Sequence, residues 1–315
     1  MNRILCGLLA LGVFAGTVGP GHADYAYTSI DFPGAQLTYA EGINASGQVV
    51  GSYLGRDNTR HGFLFSGGTY TSFDVPGALL TDAYAINNSG QIVGRYEASS
   101  TTFSGFMQNG GAYTTLSLPG AMYTEARGIN GIGQISGSYQ ISTISPFHGF
   151  LFSNGNYTSI DVPGSVNTSV GGINNLGQIV GAYRDPMGKA HGFLRSGDTY
   201  AVLDFPGDSG TQAYGINNGG GVVGLYGTNG TYGFVFEGGS FSTLDVPGSV
   251  YTDAVGINDS NQIVGTYRDD SGFHGYLATP LAAPVPKPSS LMLLALGIAR
   301  LLGCAWLRRR GSARR

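Results

Sequence analysis

From residue 24 to 280 the apolar positions fall in short runs, and each run stops at Gly, Asn, Asp or Pro. In one stretch "VGGIN", "QIVGAY", "HGFLR" and "YAVLDF" follow one another, each five or six residues long. Runs of that length, rich in β-branched and aromatic residues and closed by turn formers, predict strands; helices need longer stretches of 3.6-residue period. The set of four then recurs. "DxPG"-type segments begin at 31, 74, 117, 161, 204 and 245, at intervals of 43, 43, 44, 43 and 41. "GIN" or "AIN" at 42, 85, 128, 172, 215 and 256 keeps step with them. So do the "GQIVG"-type segments at 47, 90, 133, 177, 220 and 261, and "HGF" or its variants at 61, 104, 148, 191, 232 and 274.

Four strands in each of six units of about 43 residues is the pattern of a propeller blade. "NASG", "NNSG" and "NNLG" turn the first strand into the second, and "SGGT", "SNGN" and "SGDT" the third into the fourth, so each unit should be an antiparallel meander. Centring the last hairpin on Asn154-Gly155 places His148 directly opposite Asp161, at a non-hydrogen-bonded pair where side chains approach closely. Turns at Gly67-Gly68, Gly110-Gly111, Gly197-Asp198 and Gly238-Gly239 share that register, which pairs His61 with Asp74 and His191 with Asp204. Where Ser104 replaces the histidine, Ser117 replaces the aspartate; Tyr232 opposite Asp245 is a partial exception. His274 has no aspartate after it, and Asp31 has no histidine before it. If the first strand, "YTSIDF", completes the last unit, the two meet and an open sheet edge disappears. The expected fold is therefore all-β: a six-bladed β-propeller of four-stranded antiparallel blades, closed by the N-terminal strand joining the last blade.

The two ends are different material. Residues 1–23 read as a signal peptide, with Arg3, an apolar run and "GHA" before Asp24. After the 24–280 repeats come a Pro-rich linker (281–290), an apolar transmembrane or sorting helix (291–307) and an Arg-rich cytoplasmic tail (308–315). The repeats should thus be exported, extracellular or at the cell surface, and membrane-anchored through that helix before any processing. Both cysteines, Cys6 and Cys304, lie in the end segments, so no thiol chemistry operates in the repeats. The repeats hold all 19 acidic residues but only 8 of the 16 basic ones, a net charge of −11 that excludes a nucleic-acid partner.

His61, His148, His191 and His274 occupy one repeat position, so the His-Asp pairs are read as structural clamps rather than catalytic pairs. No Walker-type loop or Ser-His-Asp arrangement occurs, and no catalytic residue is assigned. Asymmetry is confined to two loop sets, the variable connections such as "YRDPMGKAH" and the "PGxxxT" connections, which share one face with the starts of the innermost strands. Just after a recurrent Thr these strands carry Tyr39, Asp82, Glu125, Ser169, Gln212 and Asp253, a ring expected near the channel mouth. Its acidic arc, with Glu41, offers ligands for a cation such as calcium, or acceptors for sugar hydroxyls alongside Tyr84, Arg127 and Tyr214. These features fit a non-catalytic interaction platform for extracellular polysaccharide or surface proteins, or alternatively a glycan hydrolase or lyase using Asp82, Glu125 or Asp253.

"GINNLGQIVGAYRDPMGKAHGFL" resembles the HAF-repeat extracellular proteins, with Gly in place of Ala in "HGF". "VPKPSSLMLLALGIARLLGCAWLRRR" is similar to a PEP-CTERM sorting signal, with Lys287 where that family usually has Glu. The resemblance implies a bacterial exported protein, associated with exopolysaccharide-producing surfaces and processed by an exosortase-type enzyme. It implies no enzymatic activity.

Overall fold

The computed structural model describes residues 21–22, 24–208, 210–227 and 232–281. The expected signal peptide, linker, apolar helix and Arg-rich tail lie outside the described residues, except Gly21, His22 and Leu281. Among the described residues every regular element is a strand, and no helix is long and apolar enough to cross a membrane.

The strands form six four-stranded antiparallel units. Blade 1 runs Leu37–Ile43, Val49–Leu54, Arg60–Ser66 and Thr69–Phe73. Blades 2 to 5 repeat it, their innermost strands being Thr81–Ile86, Tyr123–Ile129, Asn167–Ile173 and Gln212–Ile216. A parallel bridge between Tyr123 and Phe103 joins blades 2 and 3 into one hydrogen-bonded sheet. The short strand Gly21–His22 runs parallel to the outer strand of blade 5. In blade 6, Tyr251–Thr252 and Gly256–Ile257 are innermost, followed by Ile263–Asp269 and Gly272–Pro280. The fourth strand of that blade is Tyr25–Ile30, paired antiparallel from Tyr25↔Pro280 to Ile30↔Gly275. Tyr25–Ile30, the first strand of the repeat region, thus completes the last blade, as the repeat pattern predicts.

Register follows the turns. Ser153↔Asn156 and Phe152↔Tyr157 flank Asn154 and Gly155, whose φ values of 51° and 80° suit a type I′ turn. The third strand of each blade buries one aromatic ring, at Phe63, Phe106, Phe150, Phe193, Phe234 and Tyr276. Each ring packs in a cluster shared with a neighbouring blade. Phe150 packs with Ala126, Ile129 and Ile135 of its own blade and with Val93 and Leu116 of blade 2. Burial of such a ring contributes about 3 kcal/mol.

Two recurring polar devices tie blade to blade. The backbone N–H after the Asp of "DxPG" donates to the Thr hydroxyl that starts the next blade, at 3.1 Å for Phe32 to Thr38 and 2.8 Å for Phe205 to Thr211. The second device is a ring of asparagines. Asn44 Nδ2 donates to Asn87 O, Asn87 to Asn130 O, Asn130 to Asn174 O, Asn174 to Asn217 O, Asn217 to Asn258 O, and Asn258 back to Asn44 O, at 3.0 to 3.3 Å. The last bond spans 214 residues of sequence and closes the circle. Each asparagine also fastens its own turn: Asn174 Oδ1 accepts from Leu176 N and Gln178 N, and its amide reaches Gln178 Oε1. These asparagines are the Asn of "GIN", and the glutamines are the Gln of "GQIVG".

Candidate functional site

The innermost strands line a central channel, and each carries an irregularity at the same place. Pairing with the second strand skips one residue between Ala40 and Gly42, Ala83 and Ala85, Ala126 and Gly128, and Ala213 and Gly215. In blade 4 the skip covers Gly171 and Gly172, and in blade 6 the innermost strand is interrupted before Gly256. A β-bulge of this kind frees one residue from the ladder and re-aims its side chain. The residues so released are Glu41, Tyr84, Arg127, Gly171 and Tyr214; Val255 holds the matching place in blade 6 with its N–H on Val264 O at 2.9 Å, and all six line the channel. Beyond them towards one mouth stand Tyr39, Asp82, Glu125, Ser169, Gln212 and Asp253. At the other end the lining is the uniform Ile and Asn rings. Variation is therefore concentrated at one mouth.

That mouth holds a chain of alternating charges across blades 1 to 3. Asp82, fully buried, meets Arg95 Nε at 3.0 Å and Arg60 Nε at 3.1 Å. Glu125, also buried, meets Arg127 Nε at 2.9 Å, with Arg95 Nη1 at 3.9 Å. Tyr123 joins the two pairs: its hydroxyl accepts from Arg95 and donates to Glu125 at 2.7 Å. Arg127 lies over Tyr84, 4.3 Å from the ring centroid, and Arg60 over Tyr39 at 4.8 Å. The acidic arc read from the sequence is thus interleaved with arginines. Burial tends to raise the Glu125 carboxyl, but Arg127 and Arg95 outweigh it and hold it below its ordinary value. Asp82 and Glu125 are engaged by guanidinium groups, and among the described residues no three His, Cys, Asp or Glu side chains gather to hold a metal ion.

Glu41 and Asp253 differ from those two acids. Burial pushes Glu41 up to about 7, with Arg127 opposing and Asp253 adding to the rise. Burial likewise lifts Asp253 to about 6, against hydrogen bonds from Thr266 N at 2.6 Å and Tyr251 Oη at 2.9 Å. Across the channel Tyr214 donates to Gln212 Oε1 at 3.2 Å. A side cleft opens there between Glu125, Arg127, Ser169, Gln212 and Tyr214.

The histidines stand apart from the channel, on the third strands. Nδ1 of His61, His148, His191 and His274 lies 2.9, 3.1, 2.7 and 3.2 Å from Asp74, Asp161, Asp204 and Asp31. On the Nε2 side, three of them meet a second carboxylate from the loop before: Asp57 at 3.2 Å, Asp185 at 3.4 Å and Asp269 at 3.4 Å. Each of those loop aspartates also caps its own turn, as Asp185 does for Met187 N and Lys189 N at 2.9 Å. For His61, burial works against the proton, yet Asp74 and Asp57 together raise the pKa above the ordinary value. The arrangement suits a clamp between strand and loop.

Arg60, Arg95 and Tyr123 belong to the mouth but were not among the residues singled out in the sequence. Arg95 sits on the second strand of blade 2, directly opposite Asp82 in the first hairpin, whereas Arg60 sits on the third strand of blade 1 and only blade packing brings it to Asp82. Their shared signal was scarcity, since the repeats contain so few basic residues.

No family model and no curated protein matches the chain. Among solved structures it is similar to the SapL1 lectin in complex with α-methyl fucoside, with TM-score 0.53, 12% identity, and 80% of this chain and 97% of that one covered. A lectin of Aleuria aurantia in complex with a fucose-GlcNAc disaccharide gives 0.50 and 15%, covering 80% of this chain and 100% of the other. A gluconolactonase from Xanthomonas campestris gives 0.49 and 10%, covering 84% and 99%. Likeness at these identities is one of fold. The chain is a β-propeller protein, built of four-stranded antiparallel blades.

Proposed function

We propose that the protein is an exported cell-surface or matrix propeller, a non-catalytic platform that binds extracellular polysaccharide at its variable channel mouth. The observation that carries this reading is the pairing of Asp82 and Glu125 with Arg60, Arg95 and Arg127. Glu125, held below its ordinary value by its arginines, is a poor proton donor, while the surrounding guanidinium, phenol and amide groups suit hydroxyl-rich ligands. Export is supported by the signal-like 1–23 segment and the sorting-signal resemblance, which also makes an exosortase-type enzyme a partner. The test is titration of the purified protein against a panel of bacterial exopolysaccharides. Saturable binding that raises the melting temperature is expected; no heat and no shift across the panel would refute the platform.

A second reading, a glycan hydrolase or lyase, is favoured by one observation: Glu41 and Asp253 hold protons more tightly than ordinary carboxyls. Release of reducing or unsaturated ends from a polysaccharide, abolished by Glu41→Gln or Asp253→Asn, would establish it.

A further inference from the structure

We propose that the channel mouth recognises carboxylate-bearing sugars, with Arg127 as the group that grips the carboxylate. This rests on the polysaccharide-platform reading and names its ligand class.

The first argument is the placement of charge. The repeats carry 19 acidic and 8 basic residues, yet three of those eight, Arg60, Arg95 and Arg127, converge on one arc of one mouth. Asp82 and Glu125 compensate two of the three, and Glu41 and Asp253 face the same arc, so it carries a surplus positive charge within an acidic molecule once those two carboxyls are protonated. Such local reversal of sign attracts an anion where the rest of the surface repels it.

The second argument is the state of Arg127 itself. The bulge turns it into the channel, Glu125 fixes its Nε at 2.9 Å, and Tyr84 lies against its guanidinium at 4.3 Å. Among the described residues its two Nη groups have no protein hydrogen-bond partner. It lines both the channel and the side cleft. A guanidinium held by Nε and stacked on a ring keeps two parallel donors for the two oxygens of a carboxylate. Ser169, Gln212 and Tyr214 face it across the cleft with hydroxyl and amide groups for the remaining sugar hydroxyls.

The third argument is a built-in competitor. Glu41, released by the bulge of blade 1, enters the same channel. The charged groups around it are Arg127, Arg60, Asp82 and Asp253, with the phenols of Tyr39, Tyr214 and Tyr251 beside them. When Glu41 is ionised it offers Arg127 a carboxylate of the protein's own; when it is protonated, Arg127 is available to a ligand. Burial places that change near pH 7. Protonation of Asp253, lower on the scale, acts in the same direction. Affinity for an acidic sugar should therefore rise as pH falls from 8 to 6, and affinity for a neutral sugar should not.

The test is calorimetry of the full chain with trigalacturonate and with the same trisaccharide carboxyl-reduced to galactose units. The acidic form should bind about tenfold more tightly at pH 6. Arg127→Gln should erase that ratio, Arg127→Lys should keep part of it, and Glu41→Gln should tighten acid binding at pH 8 and flatten its pH dependence. Equal affinity for the two sugars would overturn the carboxylate assignment while leaving the polysaccharide platform standing. An undiminished ratio in a folded Arg127→Gln protein would also overturn it. Failure of both the trisaccharides and the exopolysaccharide panel would remove the platform and this inference together. Should Arg127→Gln not fold, the wild-type ratio and the Glu41→Gln pH profile decide the matter.

Discussion

A Cβ built on Gly51 would stand 1.9 Å from the carbonyl oxygen of Tyr39 and 2.9 Å from the Phe63 ring. Every blade repeats this approach, with Gly94 2.0 Å from Asp82 O and Gly224 2.0 Å from Gln212 O. The last Gly of "GQIVG" is thus a spacing requirement between the first two strands at the bulge. Gly51→Ala should cost roughly 3 kcal/mol by urea denaturation. Gly155→Ala, in an exposed turn at φ 80°, should cost only about 1 kcal/mol. His61 supplies a pH-dependent case. Its pKa is raised in the folded state, so its clamp contributes fully below about pH 6.5, the unfolded value, and is lost as pH rises through the folded one. His61→Ala should therefore destabilise the protein at pH 5, by ~0.5 kcal/mol for so accessible a pair, and hardly at all at pH 8. At this scale the His-to-Asp spacing was legible because hairpin register is arithmetic. The second carboxylate on His61, Asp57, was not, because a capping loop does not announce which way its free oxygen turns.

Among elements, the first hairpin of each blade does most to hold the ring together. Asn174 is nearly fully buried and serves its own turn and the next blade at once. Asn174→Ala would leave two backbone donors without their acceptor and take from Asn217 O one of its two donors, and should cost about 3 kcal/mol by chemical denaturation. Blade 5 shows how the device tolerates change. Gly221 stands there in place of Gln, and Asn217 Nδ2 turns instead to Asn261 Oδ1 at 2.8 Å. The recurrence of "GIN" and "GQIVG" was plain in the chain, but the bond between their polar side chains was not, because recurrence alone cannot separate a turn preference from a tertiary contact. The bulge was hidden for a related reason. One extra residue in a strand of mixed polar and apolar residues leaves the two-residue alternation ambiguous, and only the pairing with the second strand shows which residue is out of step. Arg60 escaped notice because its partner Asp82 lies on another blade, while Arg95, opposite Asp82 in one hairpin, was open to the same register arithmetic as the His-Asp pairs.

For the whole molecule, closure depends on a strand far away in sequence. Removing residues 24–30 would leave Gly272–Pro280 with an unpaired edge and Asp31 without its place beside His274. The truncated protein should melt at a markedly lower temperature and self-associate through the open edge, as light scattering would show. Loss of a tip residue from any other outer hairpin should do neither. The number of blades, their order and the site of closure all followed from counting the repeat. The charge pattern around the mouth did not, since it arises where three blades converge.

The five bulges and the matching break in blade 6 separate two demands that usually conflict in a repeat protein. Because Glu41, Tyr84, Arg127, Gly171 and Tyr214 stand at breaks in the strand pairing, their identities, and that of Val255 at the matching place in blade 6, can drift while the strands, turns and Asn ring stay as they are. The channel is in effect a six-letter word written on a fixed frame. Rewriting those letters, by mutation over generations or by design at the bench, would give propellers of one shape with different appetites.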